Sequence, residues 1–400
     1  MENIFALTTE ELKCIADKLQ DRIEEGLQED NREISCIPTH IHPKEQIEDG
    51  KVLALDWGGT NFRAAIVEYK NGNAKVIEEC KNRLDHVVTT GFNQEKLHEK
   101  MAEFIGSLKQ LDSQVNKIGY CFSYPAASRL NGDAVLLRWT KGIDIPDMIG
   151  KPVGEPLLKY LNNHKDIQTT FTDVKVINDT VACLFAGLTE LTVEKKPFDS
   201  YIGLIVGTGT NMAGLMQLNK IEKLNNKDEG MIPVNLESGN FNPPHLTVID
   251  SLVDTMSNNK GQQRFEKAIS GGYLGELFKA VFMSEKIKYN FDGADLSNIL
   301  NNPAQNKKEH VDAANWIYER SAKLVAASLA GFAQVLVKQN GALKNIYLAA
   351  DGTVFWSNNY AKLVEAELKT LLPAGVVMTI SEKEKMKEPN LIGSAIAALS

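Results

Sequence analysis

The chain has 400 residues, and two domains are expected because single hydrophobic cores stop growing at roughly 250 to 300 residues. With 43% hydrophobic and 24% charged residues, the composition is that of a folded protein and excludes extensive disorder. The formal net charge of -8 argues against a protein that neutralises nucleic-acid phosphates with lysine and arginine. The five cysteines are scattered and form no CxxC pair, as expected for reduced thiols of a cytoplasmic protein.

The N-terminal segment predicts an amphipathic helix rather than a targeting sequence. Its apolar residues recur at helical spacing over residues 12–27, and Thr8 with Glu11 predicts a capping box. The polar residues 31–50, with two prolines, predict a connecting loop. Residues 324–337 form the most apolar run, which is too short to span a bilayer and contains Gln334. This run therefore predicts a buried helix, and no membrane partner is expected.

The pattern then changes to that of strands. Two apolar runs, "KVLALDW" and "FRAAIVEYK", flank "GGTN" and predict a hairpin closed by a glycine turn. The elements predicted after it are a strand at 74–80, a helix at 93–111 and a strand at 117–124 that Pro125 ends.

A second hairpin of the same kind occurs later in the chain. A short strand at 174–177 runs into a helical pattern, which places Asp179 at a strand-to-helix corner. The run 200–218 again reads strand, glycine turn and strand, and Gly209 of its Gly-Thr-Asn follows Gly59 of the first by 150 residues. Two copies of one hairpin predict two related lobes.

The rest of the chain alternates between helices and strands. The predicted helices lie at 247–284, 313–338, 360–372 and from 391 onward, and the predicted strands lie at 345–352 and 375–380. This alternation predicts the α/β class.

The commoner nucleotide and metal motifs are excluded. The chain has no GxxxxGK[ST] loop, and "GTGTNM" places Met212 where a dinucleotide motif needs its third glycine. The HRD and DFG triplets of protein kinases are also missing. His40 and His42 lie in the polar linker without a third ligand, which argues against a metal site there.

The glycine turns are candidates for phosphate binding. Gly58, Gly59, Gly207 and Gly209 have no Cβ to block a phosphate from the backbone N–H groups. The alternative is that each turn is only a tight hairpin, but two turns with the same Gly-Thr-Asn favour the phosphate hypothesis.

Two aspartates are candidates for the chemistry itself. Asp56 lies just before the first turn, where a carboxylate can hold Mg²⁺ through water, or where it is only a turn former. Asp179 is placed to accept a proton from an attacking hydroxyl. The alternative for Asp179 is a helix N-cap shared with Asn178 and Thr180.

A mixture of polar side chains suited to a sugar is spread over several loops. Sugar hydroxyls each donate and accept, so their sites use carboxylates, amides and a lysine. The candidates are Ser123, Thr140, Lys141, Asn178, Asn211, Glu237 and Glu266. Each taken alone is also consistent with an ordinary loop or cap.

At these residues the sequence resembles the hexokinase family, which belongs to the actin-like ATPase fold group. "LALDWGGTNFR" and "GLIVGTGTN" resemble the two phosphate motifs of the family, "FSYP" and "RWTKG" its sugar loops, and "NDTVA" its catalytic segment. "GQQRFEKAISGGYLGEL" resembles its sugar-side helix region, and "AADGT" its adenosine-side turn. The resemblance covers nearly the whole chain.

The resemblance implies a role for each matching residue. Asp179 is implied to be the catalytic base, with Arg63 and Lys141 stabilising developing charge. The implied hexose-binding residues are Ser123, Thr140, Lys141, Asn178, Asp179, Asn211, Glu237 and Glu266. The residues implied to bind ATP are Asp56, Gly58, Gly59, Thr60, Asn61, Arg63, Gly207, Thr208, Gly209, Gly352 and Thr353. Asp56 and Asp179 are implied to hold Mg²⁺ through water.

The implied fold is a two-lobed, actin-like ATPase (ribonuclease H-like) α/β fold around a cleft. The small domain is expected at 50–179 plus 387–400, and the large domain at 1–49 plus 180–386. The implied function is that of a cytoplasmic, ATP-dependent hexokinase of glycolysis that phosphorylates the 6-hydroxyl of a hexose. Glucose is the first choice of substrate, mannose and fructose are alternatives, and monomer or homodimer is left open.

The chain departs from the family pattern at a few positions. Trp57 stands where a smaller aliphatic residue is usual, Ser238 and Asn240 stand where "TEWGAF" is common, and "EPNLIGSAIAAL" lacks the usual "GSGKG". Other sugar kinases of the fold group, a non-catalytic sugar sensor and a chaperone-like ATPase are the alternative functions. ADP release with and without glucose distinguishes a glucose kinase from the sensor and the ATPase, and a panel of sugars separates it from other sugar kinases.

Overall fold

The computed structural model describes residues 2–44, 46–59, 61–83, 92–140, 142–191 and 196–400, so Thr60 and Lys141 lie outside the described residues. Two compact units make up the chain. The first unit comprises Met1–Cys36, Phe198–Glu229 and Leu236–Lys385, and the second comprises Ile37–Pro197, Gly230–Asn235 and Met386–Ser400. The bounds given above for the small and large domains remain a prediction.

The helices of the described residues occur in both units. In chain order they are α1 (Thr9–Gln28), α2 (Gln94–Gly106), α3 (Gly154–Asn162), α4 (Asp179–Gly187), α5 (Val248–Met256), α6 (Arg264–Ile269), α7 (Gly271–Val281), α8 (Gly293–Asn301), α9 (Lys308–Gln339), α10 (Tyr360–Leu371) and α11 (Pro389–Leu399).

The strands alternate with these helices, as the sequence predicts. They are β1 (Ile37–Pro38), β2 (Gly50–Trp57), β3 (Asn61–Lys70), β4 (Asn73–Arg83), β5 (Val115–Phe122), β6 (Ala126–Ser128), β7 (Ala134–Leu136), β8 (Asp173–Ile177), β9 (Ser200–Val206), β10 (Thr210–Gln217), β11 (Met231–Asn235), β12 (Asn345–Asp351) and β13 (Val377–Ile380).

The second unit is built on a five-stranded sheet in the order β4-β3-β2-β5-β8. Strands β2, β5 and β8 are parallel, while β3 and β4 run antiparallel to their neighbours. Side chains of α2 pack against one face of the sheet, and α11 packs against the other. The carboxyl ends of the three parallel strands therefore lie at one edge, which is where ligands bind in open α/β sheets.

The first unit repeats part of this arrangement. Its strands β10-β9-β12-β13 have the same order and directions as β3-β2-β5-β8, with one antiparallel pair followed by two parallel pairs. The glycine hairpins predicted two related lobes, and the shared order and directions of these four strands confirm that prediction. A shared order places each glycine turn at the equivalent corner of its own sheet.

Helix α9 contains the apolar run predicted to be buried, and most of its residues from 313 to 336 are buried. By length and composition α9 is apolar enough to cross a membrane, but 78% of its most apolar stretch is buried inside the protein. It packs against α1 and α10. Its environment is therefore that of a core helix.

Local signals at the helix ends were good predictors in some places and poor in others. The Thr8–Glu11 capping box of α1 is confirmed. The helix predicted at 93–111 ends at Gly106, and residues 107–112 form turns. The segment predicted to be helical at 247–284 is divided into α5, α6 and α7. Gly261 and Gln263 take positive φ between α5 and α6, and Ser270, with extended backbone, separates α6 from α7. The loop predicted at 31–50 contains the short strand β1.

Candidate active site

A row of polar residues crosses the sheet of the second unit at its ligand-binding edge. Strand register places Asp56 on β2 opposite Arg63 on β3 and Cys121 on β5, and Arg63 in turn opposite Lys81 on β4. Side chains alternate along a strand. Since Val52 and Ala54 of β2 face α11, Asp56 faces the same side. The pleat thus directs a carboxylate toward the start of α11.

Asp56 is only 8% exposed. The Asn390 Nδ2 group donates to its Oδ1 at 3.3 Å, and the Arg63 Nη1 atom lies 3.6 Å from its Oδ2. Burial raises the pKa of Asp56 because it penalises the charged form, and the nearby Asp179 acts in the same direction. The Arg63 guanidinium and the Asn390 amide only partly oppose that rise in pKa.

Arg63 is held by three carboxylates of the second unit. Its Nε donates to Glu79 Oε1 at 2.8 Å, and it also pairs with Asp56 and Glu388. The guanidinium side chain is 17% exposed. These contacts fix the cation at the edge of the sheet.

Asp179 is the first residue of α4, directly after β8, as predicted. The N-cap is Asn178, whose Oδ1 accepts the Thr180 N–H at 2.9 Å. Asp179 Oδ1 accepts the same N–H at 2.8 Å. Because Asn178 already caps the helix, Asp179 is not required as the cap and remains suited to chemistry.

These groups line one cavity of about 260 Å³ in the second unit. The residues that line it are Asp56, Gly58, Asn61, Arg63, Lys81, Ser123, Asp179 and Asn390. Six of the eight are candidates from the sequence, and the structure brings them together. Thr140 and Asn178 belong to the same unit but do not line this cavity.

Sequence reasoning missed Lys81 and Asn390. Lys81 lies opposite Arg63 in the sheet, a position that only strand register reveals. Asn390 lies in the first turn of α11, in the segment that departs from the family pattern. Among the described residues, Asn390 Oδ1 is a buried acceptor without a hydrogen-bond partner. Such an orphaned oxygen on a residue that lines a cavity is a candidate contact for a bound ligand.

The first glycine turn is anchored by two aromatic side chains. Gly59 has φ +101°, which favours glycine. Its N–H donates to Tyr124 Oη at 2.8 Å, and its carbonyl accepts from Trp57 Nε1 at 2.8 Å and from Tyr124 Oη at 3.2 Å. The polar backbone groups of Gly59 are therefore engaged by the protein, whereas Gly58 and Asn61 line the cavity.

The second glycine turn, in the first unit, is anchored by backbone instead. The carbonyl of Gly207 accepts the Gly271 N–H at 2.7 Å, and that of Thr208 accepts the Gly272 N–H at 3.0 Å. Both donors open α7. Gly352, with φ +115°, lies against the Val206 carbonyl, where a Cβ would collide. The predicted residues Gly207, Thr208, Gly209 and Gly352 are thus brought together, with Thr353 exposed beside them.

Three sugar-binding candidates lie near this second turn. Glu266 Oε2 accepts the Thr210 N–H at 3.0 Å, which places its carboxylate beside Gly209. Asn211 Oδ1 accepts the Ser238 N–H at 3.1 Å. Glu237 precedes Ser238 with φ +57°, a conformation unusual for a residue with a side chain. The first unit thus groups two carboxylates and an amide around one hairpin.

Comparison with known proteins identifies the relatives of this chain. Family models described as hexokinase match residues 1–188 and 201–313. Hexokinase-1 of Saccharomyces cerevisiae is 30% identical, over 93% of this chain and 84% of that protein. Hexokinase-2 of Schizosaccharomyces pombe is 33% identical, over 72% of this chain and 65% of that protein.

Solved structures show the same fold. A hexokinase from Schistosoma mansoni complexed with glucose matches with a TM-score of 0.80 and 22% identity, covering 99% of this chain and 96% of that one. A glucokinase of the ROK family from Streptomyces griseus, in complex with glucose and AMPPNP, matches with a TM-score of 0.52 and 17% identity over 87% of this chain and 99% of that one. The predicted two-lobed, actin-like ATPase fold is confirmed.

Proposed function

The chain belongs to the hexokinase family, and from that premise we propose that it transfers the γ-phosphoryl group of ATP to the 6-hydroxyl of a hexose. The observation that carries the proposal is the cavity that Asp179 shares with Asp56 and Gly58. Phosphoryl transfer depends on positioning and charge stabilisation more than on covalent chemistry. A carboxylate, a glycine turn and two cations at one sheet edge supply those requirements.

Asp179 is assigned as the general base. Its carboxylate lines the cavity while Asn178 caps the helix, so it can accept the proton that the 6-hydroxyl loses as that oxygen attacks phosphorus. Arg63 and Lys141 are assigned to stabilise developing charge. Lys81, which lines the same cavity, is a third candidate for that role.

The residues of this cavity suit Mg²⁺. Within the described part of the chain, no group of three or more His, Cys, Asp or Glu residues is arranged to hold a metal. Mg²⁺, however, takes one or two carboxylates together with water and substrate phosphates. Asp56 and Asp179, through water, are assigned to this role, and the partnerless Asn390 Oδ1 is a suitable acceptor for one of those waters. The ion would neutralise phosphate charge.

The other assignments follow the family pattern. The residues assigned to ATP are Gly58, Gly59, Thr60, Asn61, Gly207, Thr208, Gly209, Gly352 and Thr353. The residues assigned to the hexose are Ser123, Thr140, Lys141, Asn178, Asn211, Glu237 and Glu266. Glucose is the preferred candidate, with mannose and fructose as alternatives. The presence of Glu237 supports sugar binding, whereas its neighbours Ser238 and Asn240 depart from the family pattern, so the choice among these hexoses is left to the comparison of sugars below.

A cytoplasmic location is proposed together with this function. No disulfide joins the five cysteines, all of which lie in the described ranges. This suits a reducing compartment, where ATP is also abundant.

ADP release measured with and without sugar tests the proposal. Purified protein with ATP and Mg²⁺ is expected to release ADP only when a hexose is added, and glucose, mannose, fructose, glucosamine and a polyol would be compared. Sugar-independent release would indicate an ATPase. Sugar binding in calorimetry without any ADP release would indicate a sensor, and either result would overturn the proposal.

A further inference from the structure

Trp57 makes a hydrogen bond to the first glycine turn, and none of the roles proposed above for phosphoryl transfer involves this residue. Its side chain is fully buried, and its indole N–H donates to the Gly59 carbonyl at 2.8 Å, two residues further along the chain. Tyr124 binds the other side of the same residue, since its hydroxyl accepts the Gly59 N–H at 2.8 Å. Two side chains thus engage both backbone polar groups of one glycine.

The indole is itself held in place by other rings. Its ring centroid lies 5.3 Å from that of Tyr124, 5.4 Å from Trp139 and 5.8 Å from Phe122, at angles between 57° and 65°. Such edge-on and tilted contacts are favourable and restrict the rotamers of each ring. Trp139 is fixed in turn by its own indole N–H, which donates to the Ile145 carbonyl at 2.8 Å. The donor that Trp57 presents to Gly59 is therefore pre-positioned.

Hydrogen bonds rather than packing contacts hold Gly59 in its conformation. A Cβ added at Gly59 would meet no atom within 4 Å, so steric contact does not restrain this glycine. Glycine in a turn has the largest conformational freedom of any residue. The hydrogen bonds to Trp57 and Tyr124 consequently decide which way the adjacent peptide groups point.

We propose that Trp57 and Tyr124 are positioning residues for phosphoryl transfer, which set the first glycine turn so that Gly58 and Asn61 face the cavity. The inference rests on the proposed function, because it assigns the turn to the phosphates of ATP. Preorganised donors stabilise charge without reorganising during the reaction. A loosened turn should therefore weaken ATP binding and slow turnover, while hexose binding is retained.

Matched phenylalanine variants test this inference. Trp57→Phe keeps an aromatic ring and removes the N–H, and Tyr124→Phe keeps the ring and removes the hydroxyl. Because one hydrogen bond contributes about 0.5–1.5 kcal/mol, Trp57→Phe, which loses one, is expected to raise KM for ATP by roughly 2- to 10-fold. Tyr124→Phe loses two bonds to Gly59 and is expected to raise KM for ATP at least as much. KM for glucose should change by less than about twofold. Tyr201→Phe is the control, since it removes a hydroxyl that accepts the Phe198 N–H at 3.2 Å at the start of β9 in the first unit, outside this aromatic cluster, and its KM for ATP should stay at the wild-type value.

The outcomes separate positioning from simple core packing. If Trp57→Phe and Tyr124→Phe keep the wild-type KM for ATP, the inference is wrong. Equal increases in KM for ATP and for glucose, with a melting temperature lowered as in Tyr201→Phe, would also overturn it. If Trp57→Phe does not fold, Tyr124→Phe decides by the same criterion.

Calorimetric binding of a non-hydrolysable ATP analogue keeps this test separate from the proposed function. Weaker binding of the analogue by Trp57→Phe or Tyr124→Phe than by Tyr201→Phe supports the inference even if the wild-type protein transfers no phosphate to any hexose. Unchanged affinity in both variants overturns it.

Discussion

The two glycine hairpins are equivalent in strand order, but they are held in different ways. In the second unit, the indole of Trp57 and the hydroxyl of Tyr124 hold the turn. In the first unit, the backbone N–H groups of Gly271 and Gly272 hold the turn, and Gly352 lies against the preceding strand. A turn held by side chains is sensitive to the loss of a polar group, whereas a turn held by backbone is sensitive to the addition of a Cβ.

The chemistry beside the two turns differs as well. Asp56 and Asp179 line the cavity that contains the first turn. The second turn is accompanied by Glu266, whose carboxylate accepts a backbone N–H from Thr210. A repeated scaffold therefore supports different functions in its two copies, because function depends on the side chains attached to the scaffold and not on strand order.

The largest effect is expected for Asp179→Asn, which keeps the shape of the side chain and removes its basicity. We expect kcat to fall by at least ~10²-fold, the usual scale for a general base. Hexose affinity, measured by calorimetry, should stay within a few fold of wild type. Asp173→Asn at the opposite end of β8 is the control, with a half-exposed side chain paired to Lys175, and should retain wild-type turnover. Near-normal turnover in Asp179→Asn would refute the base assignment.

The next largest effect is expected for Gly352→Ala in the backbone-held turn. Its φ of +115° strains any residue with a Cβ, and the added Cβ would collide with the Val206 carbonyl. Strain of about 1–3 kcal/mol and overpacking of about 1–3 kcal/mol together predict a loss of roughly 2–6 kcal/mol in the free energy of unfolding. Urea denaturation measures this loss. Gly341→Ala, where no atom lies within 4 Å of an added Cβ, should change the urea midpoint little.

Gly59→Ala in the side-chain-held turn should be milder than Gly352→Ala. The φ of +101° is again unfavourable, but the added Cβ meets nothing within 4 Å. Only the backbone cost of about 1–2 kcal/mol remains. Gly72→Ala, an exposed turn glycine with φ +82° and equally open space, is the matched control and should show a similar loss. If Gly59→Ala were as damaging as Gly352→Ala, the contrast between the two turns would be wrong.

The smallest change in stability is expected for Asp56→Asn, which should raise the free energy of unfolding at neutral pH, whereas the glycine variants lower it. Burial raises the folded-state pKa of Asp56 above its ordinary value of 3.8, so the folded protein binds this proton more tightly than the unfolded chain. Its contribution to stability therefore falls as pH rises above about 3.8, and the ionised carboxylate costs stability at neutral pH. The Asn variant should unfold at a higher urea concentration than wild type at pH 7, with the difference shrinking toward pH 4.

Arg63 keeps Glu79 and Glu388 as partners in that variant, so no unpaired cation results. Asp112→Asn, at a half-exposed carboxylate, is the control and should show no comparable pH-dependent gain. A gain in stability for Asp56→Asn together with reduced turnover would mean that Asp56 is retained for function. Lower stability than wild type at pH 7 would contradict the burial argument.

Much of the fold could be predicted from local patterns. Short apolar runs predicted β2, β3, β9 and β10, and Gly-Thr-Asn predicted both turns, because these signals depend on neighbours within a few residues. The segment 247–284 could not be predicted as three helices. Its apolar spacing is helical throughout. The break before α6 depends on positive φ at Gly261 and Gln263, with Asp254 accepting the Gly261 N–H, and the break before α7 depends on the extended backbone of Ser270.

For the candidate site, the sequence predicted most of the residues that line the cavity, but it did not predict which of them contact one another. The glycine turns and Asp179 stand in recognisable motifs, and the structure places Asp179 in one cavity with Asp56. Lys81 and Asn390 could not be found in this way, because their place in the cavity depends on the register of β4 against β3 and on where α11 begins.

By itself, the sequence determined the α/β class, the repeated hairpin and the family, because these are carried by periodicity and by short motifs in a fixed order. Only the tertiary structure decided which groups hold each turn and which side chains share a cavity. The physical reason is distance along the chain: Asn390 donates to Asp56 from 334 positions away, and Tyr124 binds Gly59 from 65 positions away. No local pattern encodes such contacts, and they arise only when strands and helices pack.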